Sequence, residues 1–128
     1  MNLVLWLGPF VNGVGLGVLA MLLHECGHLV TAKMLGVRVK KVGFGWRKGI
    51  YIRREQGSPL ESILIALAGP LANIIMIPLS HSVPLFALAN CCYALGNLLP
   101  IDGSDGSRVA ICFRSLWQTA RDSTPPDA

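Results

Sequence analysis

The sequence predicts an all-α membrane protein with three transmembrane helices and a short β-hairpin-like segment at the membrane surface between helices one and two. The 128 residues are 52% hydrophobic and only 14% charged, with a mean hydropathy of +0.54, whereas soluble domains carry about 25% charged residues. Residues 3–23 contain no formal charge, and residues 62–101 contain none apart from the titratable His81. Since a membrane helix needs about 20 apolar residues, the first run predicts one crossing and the second predicts two.

Helix one is expected to extend from Leu3 to about Leu35. No Lys or Arg precedes Lys33, so the segment lacks the basic start of a cleavable signal peptide and should remain in the protein. The glycines between positions 13 and 17 include a GxxxG spacing, which lets helices approach closely in lipid. We expect this spacing to serve packing within the bundle, with dimerisation as the alternative.

The connection between helices one and two has a different character. Residues 36–59 alternate apolar and charged side chains between glycines, which predicts two or three short strands. Beside membrane spans, the positive-inside rule explains a basic block better than nucleic-acid binding does, and it places this segment in the cytoplasm and the N-terminus outside. Seven of the eleven basic residues lie here: Arg38, Lys40, Lys41, Arg47, Lys48, Arg53 and Arg54.

Helices two and three share the second apolar run. Helix two is predicted from about Leu60 to Leu79, and helix three from near Pro84 to near Leu99, with a break at residues 80–84 between them. The break contains proline and serines, which favour turns over helix continuation. Both helices should therefore cross the membrane in opposite directions.

The C-terminal part combines a turn-rich stretch, an amphipathic helix and a tail. Residues 107–118 predict a short helix whose apolar face and nearby arginines suit a cytoplasmic membrane surface. We interpret residues 1–121 as a single core domain and expect the Pro-containing tail, residues 122–128, to be disordered. The four cysteines form no CxxC pair and are expected to be small buried hydrophobes.

Helix one carries a pattern that is typical of metal sites. His24 and His28 are four residues apart, so on a helix they lie about 40° apart around the axis and one turn up. Both imidazoles can therefore reach one ion, and Glu25 lies beside them, where it can take a proton from water. This HExxH pattern is typical of zinc hydrolases, and we expect one Zn²⁺ per chain.

A catalytic zinc site usually has a third protein ligand. Asp102 and Asp105 follow the start of helix three by about 18 and about 21 residues, which brings both to the depth of His24. The spacing leaves both open, because Asp-Gly pairs also favour turns and Asp105 could cap the following helix. The other candidates, which lie at less suitable depths or point away, are His81, Glu55, Glu61 and the cysteines.

Three short motifs lie in order on the three apolar segments. They are HExxH at residues 24–28, Gly-Pro-x-x-Asn at residues 69–73, and Asn-x-x-Pro followed by Asp-Gly at residues 97–106. Together they resemble the site-2 protease family of intramembrane zinc metalloproteases. That resemblance implies Asp105, eight residues after Asn97, as the third zinc ligand. It also implies that Asn73 and Asn97 support the active site or bind substrate.

The resemblance implies an intramembrane zinc metalloprotease that hydrolyses peptide bonds of membrane-embedded or membrane-proximal substrates by zinc-activated water, with Glu25 as the catalytic base. The alternatives are a pseudoprotease that binds zinc or holds substrates without cutting them, and a membrane anchor whose basic segment binds anionic lipid. A membrane-protein or peptide substrate and the lipid bilayer are the expected partners, and nucleic acid is not.

Three helices shield a hydrated zinc site only partly. A second copy of the chain or a partner membrane protein is therefore a further expected partner. The expected location is a cell membrane, crossed several times, with the active site towards the cytoplasm.

Overall fold

The structure is a computed structural model, which describes residues 3–45, 49–55 and 57–123. Helix α2 is central, because it packs against α1, α3 and α4, while α1 also contacts α3 and both strands. The elements follow one another in the order α1 (Leu3–Met34), β1 (Val39–Gly45), β2 (Gly49–Arg54), α2 (Pro59–Leu79), α3 (Pro84–Leu98) and α4 (Asp105–Asp122).

Two of these helices are long and apolar enough to cross a membrane. The segment Gly8–Met34 of α1 has a mean hydropathy of 1.5, and Pro59–Leu79 has 2.1. Helix α3 has 15 residues, about 22 Å of helix, which is shorter than the roughly 30 Å hydrocarbon core. The two apolar helices suggest a membrane protein, and the third crossing stays a prediction.

Local signals fix the start of α2. The hydroxyl of Ser58 accepts a hydrogen bond from the backbone N–H of Glu61 at 3.3 Å, and the Glu61 carboxylate accepts one from the backbone N–H of Ser58 at 2.7 Å. This reciprocal capping box satisfies two N–H groups, and Pro59 at the first helical position needs no N–H partner. Glu61 thus has a structural role at the helix end.

The segment between α1 and α2 contains two strands. β1 and β2 pair antiparallel, from Val39 opposite Arg54 to Gly45 opposite Gly49, with an irregularity between Val39 and Lys41. The location of this strand pair on the membrane surface stays a prediction. Two of the seven basic residues between positions 36 and 59, Arg47 and Lys48, lie outside the described residues.

Polar side chains occupy the core, and large apolar side chains lie outside. Asn73 and Asn90 are fully buried, and the buried apolar side chains are mostly alanines. A soluble protein buries its large apolar residues instead. The exposed apolar side chains cover α1, α2 and α3 and include Phe10, Val11, Leu71, Ile75, Leu88 and Leu95.

Helix α4 corrects three details of the prediction. It begins at Asp105, two residues earlier than expected, because Ser104 is the N-cap: its hydroxyl accepts from the backbone N–H of Ser107 at 3.1 Å. The suggestion that Asp105 caps this helix is therefore wrong. The helix continues to Asp122, so the predicted tail cannot begin there, and residues 124–128 lie outside the described residues.

The predictions for cysteines and for the glycine spacing also need correction. Cys26 and Cys92 are exposed and the other two cysteines are partly exposed, so none is the buried hydrophobe expected. A Cβ on Gly13 would contact Leu85 at 3.6 Å, but Gly15 and Gly17 face open space. Of these three glycines, Gly13 alone faces a neighbouring helix within the chain, and dimerisation through the spacing stays the alternative.

Candidate metal centre

Three elements bring the candidate ligands together. α1 presents His24 and His28 one turn apart, with Glu25 directly after His24, and Asp105 lies in the first turn of α4. α2 runs between them, so its backbone and Asn73 form the wall behind the histidines. Because α2 contacts both α1 and α4, it sets the distance between the two histidines and the carboxylate.

The three candidate ligand atoms form a nearly equilateral triangle. The Nε2 atom of His24 lies 3.0 Å from Oδ2 of Asp105, and Nε2 of His28 lies 3.1 Å from the same oxygen. The two Nε2 atoms are 3.1 Å apart. His24 is 3% exposed and Asp105 is 7% exposed, so the triangle is shielded from bulk water.

The far side of each imidazole is fixed by a hydrogen bond. Nδ1 of His28 lies 2.6 Å from the backbone oxygen of Ile65, which can only accept, so this nitrogen carries the proton. Nδ1 of His24 lies 2.8 Å from Oδ1 of Asn73 and donates to it in the same way. Such second partners commonly orient metal-binding histidines and leave Nε2 free for the ion.

The donor set fits a zinc ion. With both protons on Nδ1, two nitrogen lone pairs and a carboxylate oxygen converge, and these electron-rich atoms repel one another unless a cation or a shared proton lies among them. Ligands about 2.0–2.1 Å from a tetrahedral zinc are separated by about 3.3 Å. The observed 3.0–3.1 Å is close to that value.

The carboxyl of Asp105 is poised to be ionised. Burial acts to raise the pKa of Asp105, but hydrogen bonds and charge interactions with His24 and His28 outweigh burial and hold the pKa below its ordinary value. An ionised carboxylate is the form that binds a cation. The same interactions allow imidazole protons to balance the carboxylate when no ion is bound.

Glu25 lies beside the triangle without belonging to it. Its side chain is half-buried and interacts electrostatically with His24, His28 and Asp105. Within the described part of the chain, the group of mutually close ligand atoms consists of His24, His28 and Asp105. The carboxylate of Glu25 thus remains available for proton transfer.

The structure separates the two aspartates that spacing left open. Asp102 is exposed in the turn before α4, whereas Asp105 is buried against the histidines. His81 lies exposed in the turn between α2 and α3, where its Nδ1 donates to the backbone oxygen of Pro78 at 3.3 Å. Glu55 lies 3.5 Å from the ammonium of Lys40 in an exposed ion pair.

The two asparagines of the motifs have different surroundings. Asn73 is fully buried and contacts His24 directly. Asn97 is half-buried on α3, and its amide nitrogen donates to the backbone oxygen of Tyr93, one turn earlier, at 3.0 Å. A role of Asn97 towards substrate therefore stays a prediction.

Sequence reasoning missed two residues near the site. Asn90 of α3 is fully buried and accepts a hydrogen bond from Asn73, and the ring of Tyr93 lies 6.2 Å from that of His24. A polar residue in an otherwise apolar helix was the available signal for Asn90, because such side chains in membrane helices usually face a partner.

Comparison with known proteins points to the same chemistry. No family model matches this sequence. It is 26% identical over 124 residues to a protein of Bacillus subtilis (strain 168) named "Putative peptide zinc metalloprotease protein YydH", covering 84% of this chain and 49% of the relative.

A second relative comes from Synechocystis sp. (strain ATCC 27184 / PCC 6803 / Kazusa). It is named "Putative zinc metalloprotease sll0528" and is 26% identical over 110 residues, covering 74% of this chain and 28% of the relative. The chain thus spans about half the length of one relative and less of the other. The two names suggest a zinc metalloprotease family for this chain.

Proposed function

We propose that this chain is the catalytic core of an intramembrane zinc metalloprotease of the site-2 protease type. The observation that carries the proposal is the convergence of two histidine nitrogens and one carboxylate oxygen within 3.1 Å, with Glu25 beside them. The sequence motifs and the names of both relatives support the same reaction.

His24, His28 and Asp105 would hold the zinc ion. When bound, the ion lowers the pKa of a water molecule to about 7 and polarises the carbonyl of a peptide bond. Glu25 then accepts a proton as the water oxygen attacks the carbonyl carbon. It returns the proton to the amide nitrogen as the carbon–nitrogen bond breaks.

The other residues of the site would orient the zinc ligands and the substrate. Ile65 and Asn73 hold the two imidazoles through their Nδ1 atoms, so both Nε2 lone pairs keep one direction. We assign Asn97 to contact with the substrate backbone, as the family resemblance implies. It lies one turn after Tyr93, whose ring is 6.2 Å from that of His24. The substrate would be a membrane-embedded or membrane-proximal peptide segment.

The proposed setting is a cell membrane that α1, α2 and α3 cross, with the N-terminus outside and the basic segment in the cytoplasm. The exposed apolar side chains of these helices support burial in lipid. Helix α4 would lie on the cytoplasmic surface, because it combines the exposed apolar side chains of Phe113 and Trp117 with Arg114 and Arg121. A second copy or a partner membrane protein would cover the open side.

The test is Glu25→Gln in protein purified in detergent, with zinc per chain and cleavage of a panel of single-span peptides as readouts. We expect bound zinc to stay near one per chain while cleavage falls about 10²–10⁴-fold, the usual contribution of a general base. Glu55→Gln, which removes an exposed carboxylate, is the matched control and should cleave normally. Equal cleavage by Glu25→Gln and wild type would contradict the mechanism. Zinc binding by a wild type that cuts no peptide would favour a substrate-holding protein.

A further inference from the structure

We infer that Asn90 is a positioning residue of the metal centre, which holds Asn73 in the orientation that fixes the tautomer of His24. The inference rests on the zinc site of the proposed function but not on proteolysis. Asn90 lies outside the three sequence motifs, seven residues before Asn97. Its side chain is separated from the ligand His24 by one intervening side chain, that of Asn73.

The orientation of Asn90 is set by backbone. Its Nδ2 lies 2.8 Å from the carbonyl oxygen of Phe86, and a carbonyl oxygen can only accept. The nitrogen of the amide must therefore face Phe86, which turns Oδ1 of Asn90 towards α2. That oxygen accepts a hydrogen bond from Nδ2 of Asn73 at 2.8 Å.

The orientation of Asn73 follows from the same logic. Its Nδ2 donates one hydrogen to Asn90 and the other to the backbone oxygen of Ala20 at 2.9 Å. Both hydrogens of the amide are thus used, and Oδ1 is left facing Nδ1 of His24 at 2.8 Å. Because this oxygen accepts, Nδ1 of His24 must carry the proton and Nε2 must present its lone pair to the ion.

The network has only one favourable polarity. Turning the Asn73 amide over would set its oxygen against the oxygens of Ala20 and Asn90. Bulk water does not reach these groups, because Ala20, Asn73 and Asn90 are each 0% exposed, and an unpaired buried amide is costly. Asn90 therefore supplies one of the two acceptors that keep Asn73 turned towards His24.

The experiment is Asn90→Val in the full chain in detergent, which removes the acceptor and introduces an apolar side chain of similar size. We expect the zinc dissociation constant to rise about 10-fold, the low end of the effect of losing a direct hydrogen-bond partner of a metal-binding histidine, because Asn90 acts through Asn73. In the metal-free protein, nitrogen NMR of His24 should show Nδ1 protonated in wild type, whether or not Nε2 shares a proton with Asp105, and Nδ1 partly unprotonated in the variant. Cys92→Val replaces an exposed residue of the same helix and should change neither readout.

Several outcomes decide the matter. A zinc dissociation constant within threefold of wild type, or an unchanged His24 tautomer, would overturn the positioning role even if the melting temperature falls. If Asn90→Val does not fold, Asn90→Thr is measured instead. The threonine hydroxyl can donate to a backbone carbonyl of the preceding turn, as the Asn90 amide does, but its side chain is shorter and reaches Asn73 less well. A smaller change in the same direction is therefore expected. A wild type that binds no zinc would overturn both this inference and the proposed function. A wild type that binds zinc without cutting peptides would remove only the latter.

Discussion

The backbone of Gly69 stands directly against the imidazole of His28. A Cβ built on Gly69 would lie 2.5 Å from Cε1 of His28 and 2.8 Å from Nε2 of His24, well inside van der Waals contact. Any side chain at this position would therefore occupy the space in which the two imidazoles face the ion. The close approach of α2 to α1 at a glycine is a condition for the metal centre.

Gly69→Ala should accordingly weaken zinc binding. Alanine favours helix by about 0.5–1 kcal/mol over glycine, so a gain in local helix stability is opposed by the contact with both imidazoles. We expect the zinc dissociation constant, measured by competition with a fluorescent chelator, to rise at least about 10-fold. Gly96→Ala, at a glycine with nothing within 4 Å of its Cβ position, is the control, and equal affinities for the two variants would contradict this account.

The choice of third ligand gives a second prediction. Asp105→Asn removes the negative charge from the triangle, so zinc per chain after dialysis should fall from about one to near zero, a larger loss than the 10–100-fold of outer-shell changes. Asp102→Asn changes an exposed carboxylate of the preceding turn and should keep its zinc. Retention of zinc by the Asp105 variant together with its loss from the Asp102 variant would reverse the assignment.

The sequence alone predicted best those features of the site that depend on neighbouring residues of one helix. Helical periodicity is enough to place His24 and His28 on one face. Spacing narrowed the third ligand to Asp102 or Asp105, and the family resemblance implied Asp105. What decides between them is the exact start of α4, where the Ser104 cap puts Asp105 in the first turn. A helix start shifts by one or two residues with small changes in capping, so spacing alone could not settle it.

The sequence did not predict which residues of different helices contact one another. Gly69 reads as part of a motif, but its contact with two imidazoles depends on the crossing of α1 and α2. Asn90 reads as an isolated polar residue, and its partner Asn73 lies on another helix. Helix bounds were within reach of the sequence, because the break at residues 80–84 predicted helix three from near Pro84 to near Leu99 and the structure has Pro84–Leu98.

Gly106 provides a third prediction, because it lets α4 pack against the end of α3. A Cβ on Gly106 would overlap the backbone oxygen of Leu98 and lie 2.8 Å from that of Leu99. Gly106→Ala should displace the start of α4 and move Asp105 away from the histidines. We expect a lower melting temperature and a zinc dissociation constant raised at least about 10-fold. Gly15→Ala, at an open position of α1, should change neither, and normal zinc binding by Gly106→Ala would show that α4 can shift without cost.

The last prediction concerns pH and the metal-free protein. The folded pKa of Asp105 lies below its ordinary value of 3.8, since hydrogen bonds with His24 and His28 outweigh the effect of burial. A group whose pKa is lowered on folding contributes stability that is complete above its unfolded pKa and is lost as pH falls through the folded pKa. Thermal unfolding of chelator-treated wild type and Asp105→Asn should therefore show the full contribution of the carboxylate at pH 5, where the carboxyl is ionised in the unfolded chain as well. The difference should shrink below about pH 3.8, with Asp102→Asn as the exposed-carboxyl control. A difference that grows as the pH falls below 3.8 would mean that the carboxyl is favoured in its protonated form in the folded protein, which would contradict a site built to hold a cation.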